Sequence, residues 1–129
     1  MTHLTATDHA RLETALRDEG RRLLEAIRSQ LQHDEDRNWS SLADSVHDLG
    51  DEAVADVLAD AAAAQLDREV TAYRAVEAAL GRMRDGSYGR CRDCGHLIAR
   101  ARLTAAPAAA RCVACETRRE IGAGTPPSL

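Results

Sequence analysis

The sequence predicts a mainly α-helical protein: a long antiparallel helical hairpin, similar to a coiled coil, followed by a small C-terminal segment that carries four cysteines. Of the 129 residues, 25 are Ala and 17 are Arg, and both are strong helix formers. The aromatic residues are only Trp39, Tyr73 and Tyr88, which disfavours a β-sandwich or barrel because strands favour aromatic side chains. All four cysteines lie in two Cys-x-x-Cys pairs near the C-terminus.

The first long helix is predicted from about Thr7 to Val46. Thr5 and Asp8 resemble the reciprocal capping pair that begins a helix. The apolar pattern becomes sparse over Asp34–Ser41, where the helix could break. Along the segment as a whole, apolar residues recur mostly every three, four or seven positions, as in an amphipathic helix. They are Leu12, Leu16, Leu23, Ile27, Leu31, Trp39, Leu42, Val46 and Leu49, and Trp39 is the only one within Asp34–Ser41.

The second long helix is predicted from about Glu52 to Arg84, after a turn at 47–51. Gly86 lies where a glycine commonly ends a helix. The turn is short, so the two helices should be antiparallel neighbours, and residues 1–85 should form the hairpin. The apolar side of the second helix has heptad-like spacing from Leu66 onward: Val54, Leu58, Ala62, Leu66, Val70, Tyr73, Val76, Leu80 and Met83.

Charge is distributed unevenly along the chain, although the net charge is only −4. Residues 31–60 contain nine acidic residues against Arg37 alone, a net charge of −8. Residues 82–121 contain nine Arg against four acidic residues, a net charge of +5. In an antiparallel hairpin the acidic segment surrounds the turn, so we predict an acidic tip at 47–53. The opposite end of the hairpin, which we call the base, lies beside the positively charged segment 82–121.

The cysteines have the spacing Cys91-x2-Cys94-x17-Cys112-x2-Cys115. Two such pairs supply the four thiolates that a tetrahedral zinc ion needs, and four cysteine ligands close the site, so we expect one structural Zn²⁺ rather than a catalytic one. Gly95 is expected to relieve crowding beside the sulfurs. Iron, a thioredoxin-like dithiol and unmetallated thiols remain as alternatives.

Residues 86–121 are therefore predicted to form a four-cysteine zinc finger that includes a short terminal helix from about Val113 to Ile121. The metal should supply much of the folding free energy of so small a segment. Residues 122–129 are expected to be a disordered tail.

The stretch Gly86-Ser-Tyr-Gly-Arg-Cys91-Arg-Asp-Cys94-Gly, followed by Arg102-Leu103, Pro107 and Cys112-Val-Ala-Cys115, resembles the DksA/TraR family of bacterial transcription regulators. That family joins a four-cysteine zinc finger to a long helical hairpin. A second match is Asp48-Leu-Gly-Asp51-Glu-Ala53, which fits the Asp-x-x-Asp-x-Ala of the family's hairpin tip and lies where periodicity places the turn.

The resemblance implies a non-enzymatic regulator that binds RNA polymerase through its secondary channel and needs no direct DNA contact. The tip residues Asp48, Asp51 and Ala53 would then approach the catalytic magnesium region, where they modulate promoter complexes. The positively charged base of the hairpin would stay at the channel rim. Its candidate rim contacts are Arg68, Arg92, Arg100 and Arg102.

One departure concerns the alarmone guanosine tetraphosphate, which family members bind with basic residues near the base. Counting without gaps places three of those positions at Ala75, Ala106 and Glu116, and a fourth at Arg68. Phosphate binding favours several Arg or Lys, and an acidic residue opposes it. We therefore expect weak or no alarmone dependence.

No stretch approaches the roughly 20 apolar residues that cross a bilayer, and the charged first 20 residues do not resemble a signal peptide. We expect a cytoplasmic protein with no membrane contact. One alternative function is a zinc-ribbon nucleic-acid-binding or adaptor protein with a dimerising coiled coil. A redox enzyme that uses Cys-x-x-Cys is another, although the chain lacks the βαβ context of thioredoxins.

Overall fold

Four helices account for most of the protein. The computed structural model describes the backbone of residues 3–44 and 51–124, and the side chains of residues 3–32 and 56–122. The helices are α1 (Ala6–Asp44), α2 (Asp51–Asp85), α3 (Arg100–Ala105) and α4 (Val113–Gly124). Over these ranges the β-pairing is one isolated antiparallel bridge between Arg90 and Leu97. The predicted mainly α class is confirmed.

The N-terminus of α1 is closed by the predicted capping pair. The Thr5 amide donates to Asp8 Oδ2, and the Asp8 amide donates to Thr5 Oγ1, both at 3.0 Å. Each residue thus satisfies an amide that the first turn leaves without a helical partner. α1 continues as helix through Asp34–Ser41, a stretch without Gly or Pro, so the sparse apolar pattern there does not break it.

The C-terminus of α2 ends at the predicted glycine. Gly86 has a φ of +84°, and the amides of Ser87 and Tyr88 both donate to the Arg82 carbonyl, at 3.0 and 3.2 Å. These are the bonds of a glycine-terminated helix end. At the other end, the turn and Asp48 lie outside the described residues. Asp51 and Ala53 lie in the first turn of α2, and their side chains fall outside the described set.

The chain divides into two compact units, and each long helix contributes to both. Unit 1 combines Met1–Glu19 with Ala75–Leu129, and unit 2 is Gly20–Arg74. This differs from the predicted division at residue 85. The reason is packing, because the buried side chains of both helix ends lie in the same unit as those of the cysteine-bearing segment.

Unit 1 contains most of the buried apolar side chains that the structure describes. They come from the residues just before α1, from all four helices and from the segment between α2 and α3, so the metal-binding segment shares its core with the long helices. The members are Leu4, Leu12, Leu16, Val76, Ala79, Leu80, Tyr88, Cys91, Ile98, Leu103 and Cys115.

Over its described side chains, those of residues 20–32 and 56–74, unit 2 is packed more thinly. Among its described apolar side chains Ile27 is buried, while Leu31 and Leu58 are 49% and 55% exposed, although periodicity places both on the apolar side of their helices. Gln30 Nε2 donates to the Ala62 carbonyl at 2.8 Å and joins α1 to α2 here. Ala62 belongs to the run Ala61–Ala64, whose methyl groups cover little surface.

The C-terminal part of the chain differs from prediction in two respects. α3 was not predicted. α4 extends to Gly124, three residues beyond the predicted end at Ile121, so the predicted tail begins later than residue 122. The helix passes Gly122 because an isolated glycine weakens a helix without ending it. Residues 125–129 lie outside the described set. None of the described helices is long and apolar enough to cross a membrane.

Candidate metal centre

The structure brings all four predicted ligands together. The sulfur atoms of Cys91, Cys94, Cys112 and Cys115 lie within 4.8 Å of one another. The Cys94 and Cys112 sulfurs are 3.9 Å apart. A tetrahedral zinc with bonds of about 2.3 Å places its sulfur ligands about 3.8 Å from one another. The donor set and the spacing therefore fit zinc.

The first cysteine pair lies on a tight turn between α2 and α3. The Gly95 amide donates to the Cys91 carbonyl at 3.0 Å, and the Cys91 amide donates to the His96 carbonyl at 2.8 Å. Gly95 has a φ of +77°, a conformation that favours glycine. Apart from its two chain neighbours, a Cβ added there would meet no described atom within 4 Å. The backbone conformation, rather than contact with the rest of the described chain, therefore requires glycine here.

The second cysteine pair opens α4. Cys112 directly precedes the helix, and the Glu116 amide donates to its carbonyl at 2.9 Å. The Cys115 amide lies 3.5 Å from the Cys112 sulfur. Amides at the first turn of a helix carry partial positive charge, so the Cys112 sulfur lies where the helix attracts negative charge.

The thiols of Cys91 and Cys115 differ in acidity. Hydrogen bonds, first of all from the Cys94 amide, lower the pKa of Cys91 to about 6. Hydrogen bonding to the Cys112 side chain, followed by burial, raises the pKa of Cys115 to about 12. Four negative charges within 4.8 Å repel one another strongly unless a cation compensates them. A dication is therefore the natural complement of this site, and metal binding releases protons here.

The four cysteines differ in their exposure to solvent. Cys91 and Cys115 are 2% and 6% exposed, whereas Cys94 is exposed. His96 is exposed, and its backbone carbonyl holds the Cys91 amide. Four cysteine ligands fill all four positions of a tetrahedral zinc, the arrangement typical of structural sites.

The predicted basic rim residues are distributed over both units. Arg92, Arg100 and Arg102 belong to unit 1, whereas Arg68 belongs to unit 2. Arg92 is exposed. Arg100 Nη1 lies 3.5 Å from Asp8 Oδ2, which ties the first residue of α3 to the start of α1. Arg102 Nε donates to a backbone carbonyl, that of Arg111, at 2.8 Å.

Two further residues of the centre were missed from the sequence. Arg111 Nε donates to Asp93 Oδ2 at 2.7 Å, which joins the two cysteine pairs. Their positions could have indicated this ion pair, because Asp93 lies inside the first cysteine pair and Arg111, of opposite charge, directly precedes the second. A backbone bond reinforces the link, since the Arg92 amide donates to the Ala110 carbonyl at 2.9 Å.

The fold and the site define a class of protein in which a four-cysteine zinc-binding segment is packed with the ends of two long helices. Residues 86–120 match the prokaryotic dksA/traR C4-type zinc finger. The chain belongs to the DksA/TraR family.

Two relatives show how far the similarity extends. The RNA polymerase-binding transcription factor DksA of Escherichia coli strain K12 is 33% identical over 104 residues, which cover 78% of this chain and 69% of that protein. The factor of the same name from Salmonella typhimurium strain LT2 is 32% identical over the same length. The fold is similar to that of the transcription factor DksA2 of Pseudomonas aeruginosa, with a TM-score of 0.69 at 22% identity, over 95% of this chain and 91% of that one.

Proposed function

We propose that this protein is a non-enzymatic transcription regulator that binds RNA polymerase in the cytoplasm. The supporting observation is its 33% identity, over 78% of the chain, to a protein named as an RNA polymerase-binding transcription factor. The metal centre supports the same proposal, because its four thiolates form a closed set that holds one structural zinc and offers no place for a substrate.

The hairpin enters the secondary channel of the polymerase, and its tip modulates promoter complexes in a way that requires no direct DNA contact. The tip residues are Asp48, Asp51 and Ala53. Two carboxylates on a narrow turn can contact basic polymerase residues or perturb the environment of the catalytic magnesium. Ala53 lets the tip pack closely because its side chain is small.

A pull-down with core RNA polymerase, followed by transcription from a ribosomal promoter, tests this mechanism. The Asp48→Asn/Asp51→Asn variant should retain polymerase binding and lose the effect on transcription. Asp56→Asn/Asp60→Asn is the matched control, because it removes the same charge from exposed positions further along α2. An unchanged tip variant, or an equal loss in the control, would contradict the proposed role of the tip.

Entry of the hairpin into the secondary channel is tested by a competition experiment. A second protein that occupies the secondary channel should displace this chain from the polymerase. Binding that persists would refute entry through the channel. Tight, salt-sensitive DNA binding without polymerase would favour the adaptor function instead.

Dependence on guanosine tetraphosphate is weak or absent in this proposal. Ala75 and Ala106 offer no positive charge at two of the positions concerned. At the third, the Glu116 carboxylate faces Arg111 at 4.0 Å and Arg119 at 3.8 Å, so it competes with a phosphate for these cations. A large alarmone effect that requires this protein and disappears when its base is altered would refute the proposal.

A further inference from the structure

The two cysteine pairs are far apart in sequence, and the metal must hold both. Seventeen residues separate Cys94 from Cys112. Closing a loop of this length costs conformational entropy, and this cost lowers the free energy gained on metal binding unless other contacts also hold the loop closed. The ion pair between Asp93 and Arg111 lies at the two ends of this loop, so it is placed to share the cost.

The geometry of this ion pair is better than that of a typical surface pair. The Nε–Oδ2 distance is 2.7 Å, and the Arg111 side chain is only 17% exposed, against 45% for Asp93. Arg111 also lies 4.0 Å from Glu116 Oε2. The Arg102 guanidinium fixes the backbone of Arg111 by a bond of 2.8 Å to its carbonyl. A networked and partly buried pair keeps more of its energy than an isolated exposed one.

Arg111 is the positively charged residue that lies between two carboxylates beside the metal centre. Asp93 lies between two metal ligands, and Glu116 follows the ligand Cys115. A zinc dication with four thiolates carries a net charge of about −2. Two carboxylates beside this anionic centre repel it, and the single positive charge of Arg111 lies close to both, at 2.7 Å from Asp93 and 4.0 Å from Glu116.

We propose that Asp93, Arg111 and Glu116 form an electrostatic clamp that holds the two cysteine pairs at metal-binding separation and slows the loss of zinc. Arg111 is a positioning residue, because it acts through the cysteines and is not itself a ligand. The clamp concerns the metal centre alone, so it holds or fails independently of polymerase binding.

The first test measures zinc release from the full chain to a chromogenic chelator. Arg111→Gln should accelerate release about tenfold, the effect typical of residues that support metal ligands. The matched control is Arg92→Gln, which removes the same charge from an exposed residue next to Cys91. The control should stay within about twofold of wild type. Equal acceleration in both variants would overturn the clamp, because charge alone would then explain the effect.

The second test separates the roles of the two partners. Asp93→Asn should accelerate release only about threefold, because it removes a repulsive charge together with the bond. The Asp93→Asn/Arg111→Gln variant should fall below the product of the two single effects, since contacting residues are not additive. It also keeps the local charge balanced, so it remains informative if Arg111→Gln folds poorly. Multiplicative effects would refute the pairing.

Two readouts distinguish a clamp from general structural damage. The advantage of wild type over Arg111→Gln should shrink in part as salt rises from about 0.01 M to about 1 M, because ions screen the half-exposed Asp93 carboxylate more than the mostly buried Arg111. Cobalt(II)-substituted Arg111→Gln should keep the absorption spectrum of a tetrahedral thiolate site. An advantage that is unaffected by salt, or a lost tetrahedral spectrum, would show a role in packing rather than a clamp.

Discussion

Replacing a leucine by alanine should have very different consequences at two positions of α1. Leu16 is fully buried in unit 1, at 0% exposure, and Leu31 in unit 2 is 49% exposed. Each carbon removed from a core costs about 0.8 kcal/mol, so the three carbons of Leu16 account for about 2.4 kcal/mol. The cavity that remains raises the expected loss of unfolding free energy to about 3 kcal/mol for Leu16→Ala.

Leu31→Ala is the control because it makes the same chemical change in the same helix, with the same gain in helix propensity. About half of its side chain already contacts water and no closed cavity forms, so its loss should be about 1 kcal/mol. Urea unfolding followed by circular dichroism, with zinc held constant in both samples, measures the two values. Equal losses, or a larger one for Leu31→Ala, would refute the conclusion that unit 1 holds the better packed core.

Two further substitutions test polar contacts of unit 1. Tyr88→Phe should cost about 1 kcal/mol, because it removes the hydroxyl that donates to the Pro107 carbonyl at 2.7 Å and keeps the buried ring; an unchanged urea midpoint would contradict this. The amide of Thr5, first among several causes, lowers the pKa of Asp8 from its ordinary value of 3.8 to about 2. A lowered folded-state pKa stabilises the protein above the unfolded pKa, and this stabilisation is lost as pH falls from about 4 towards 2. The stability advantage of wild type over Asp8→Asn should therefore shrink in that window, and an advantage that is as large at pH 2 as at pH 7 would refute it.

The sequence was most informative where a structure depends on neighbouring residues. The capping pair of Thr5 and Asp8 and the glycine at 86 are local signals, and both occur as predicted. The two Cys-x-x-Cys pairs are equally local, and the requirement of one metal for four ligands predicted that they meet. These signals work because a cap, a helix end or a ligand pair is decided by the chemistry of a few adjacent residues.

The remaining features depend on packing between distant segments. Nothing near Leu31 indicates that it stays half exposed, because this depends on the volume that the facing helix supplies. The pairing of Arg111 with Asp93 spans 18 positions, and charge counts alone place both residues in a generally basic segment. The division into units likewise follows the buried core rather than the change in composition at residue 85.

The metal centre and the helix ends of unit 1 depend on each other through short links. The Ile98 amide donates to the Gly89 carbonyl at 2.7 Å, and the Ile98 carbonyl accepts a hydrogen bond from the His3 ring just before α1. Gly89 is equally constrained, because a Cβ at this position would lie 3.3 Å from both His3 and Leu4. These contacts flank the first cysteine pair on both sides. The free energy of metal binding therefore stabilises the start of α1 as well as the cysteine-bearing segment, since a site formed only in the folded state contributes its binding energy to folding.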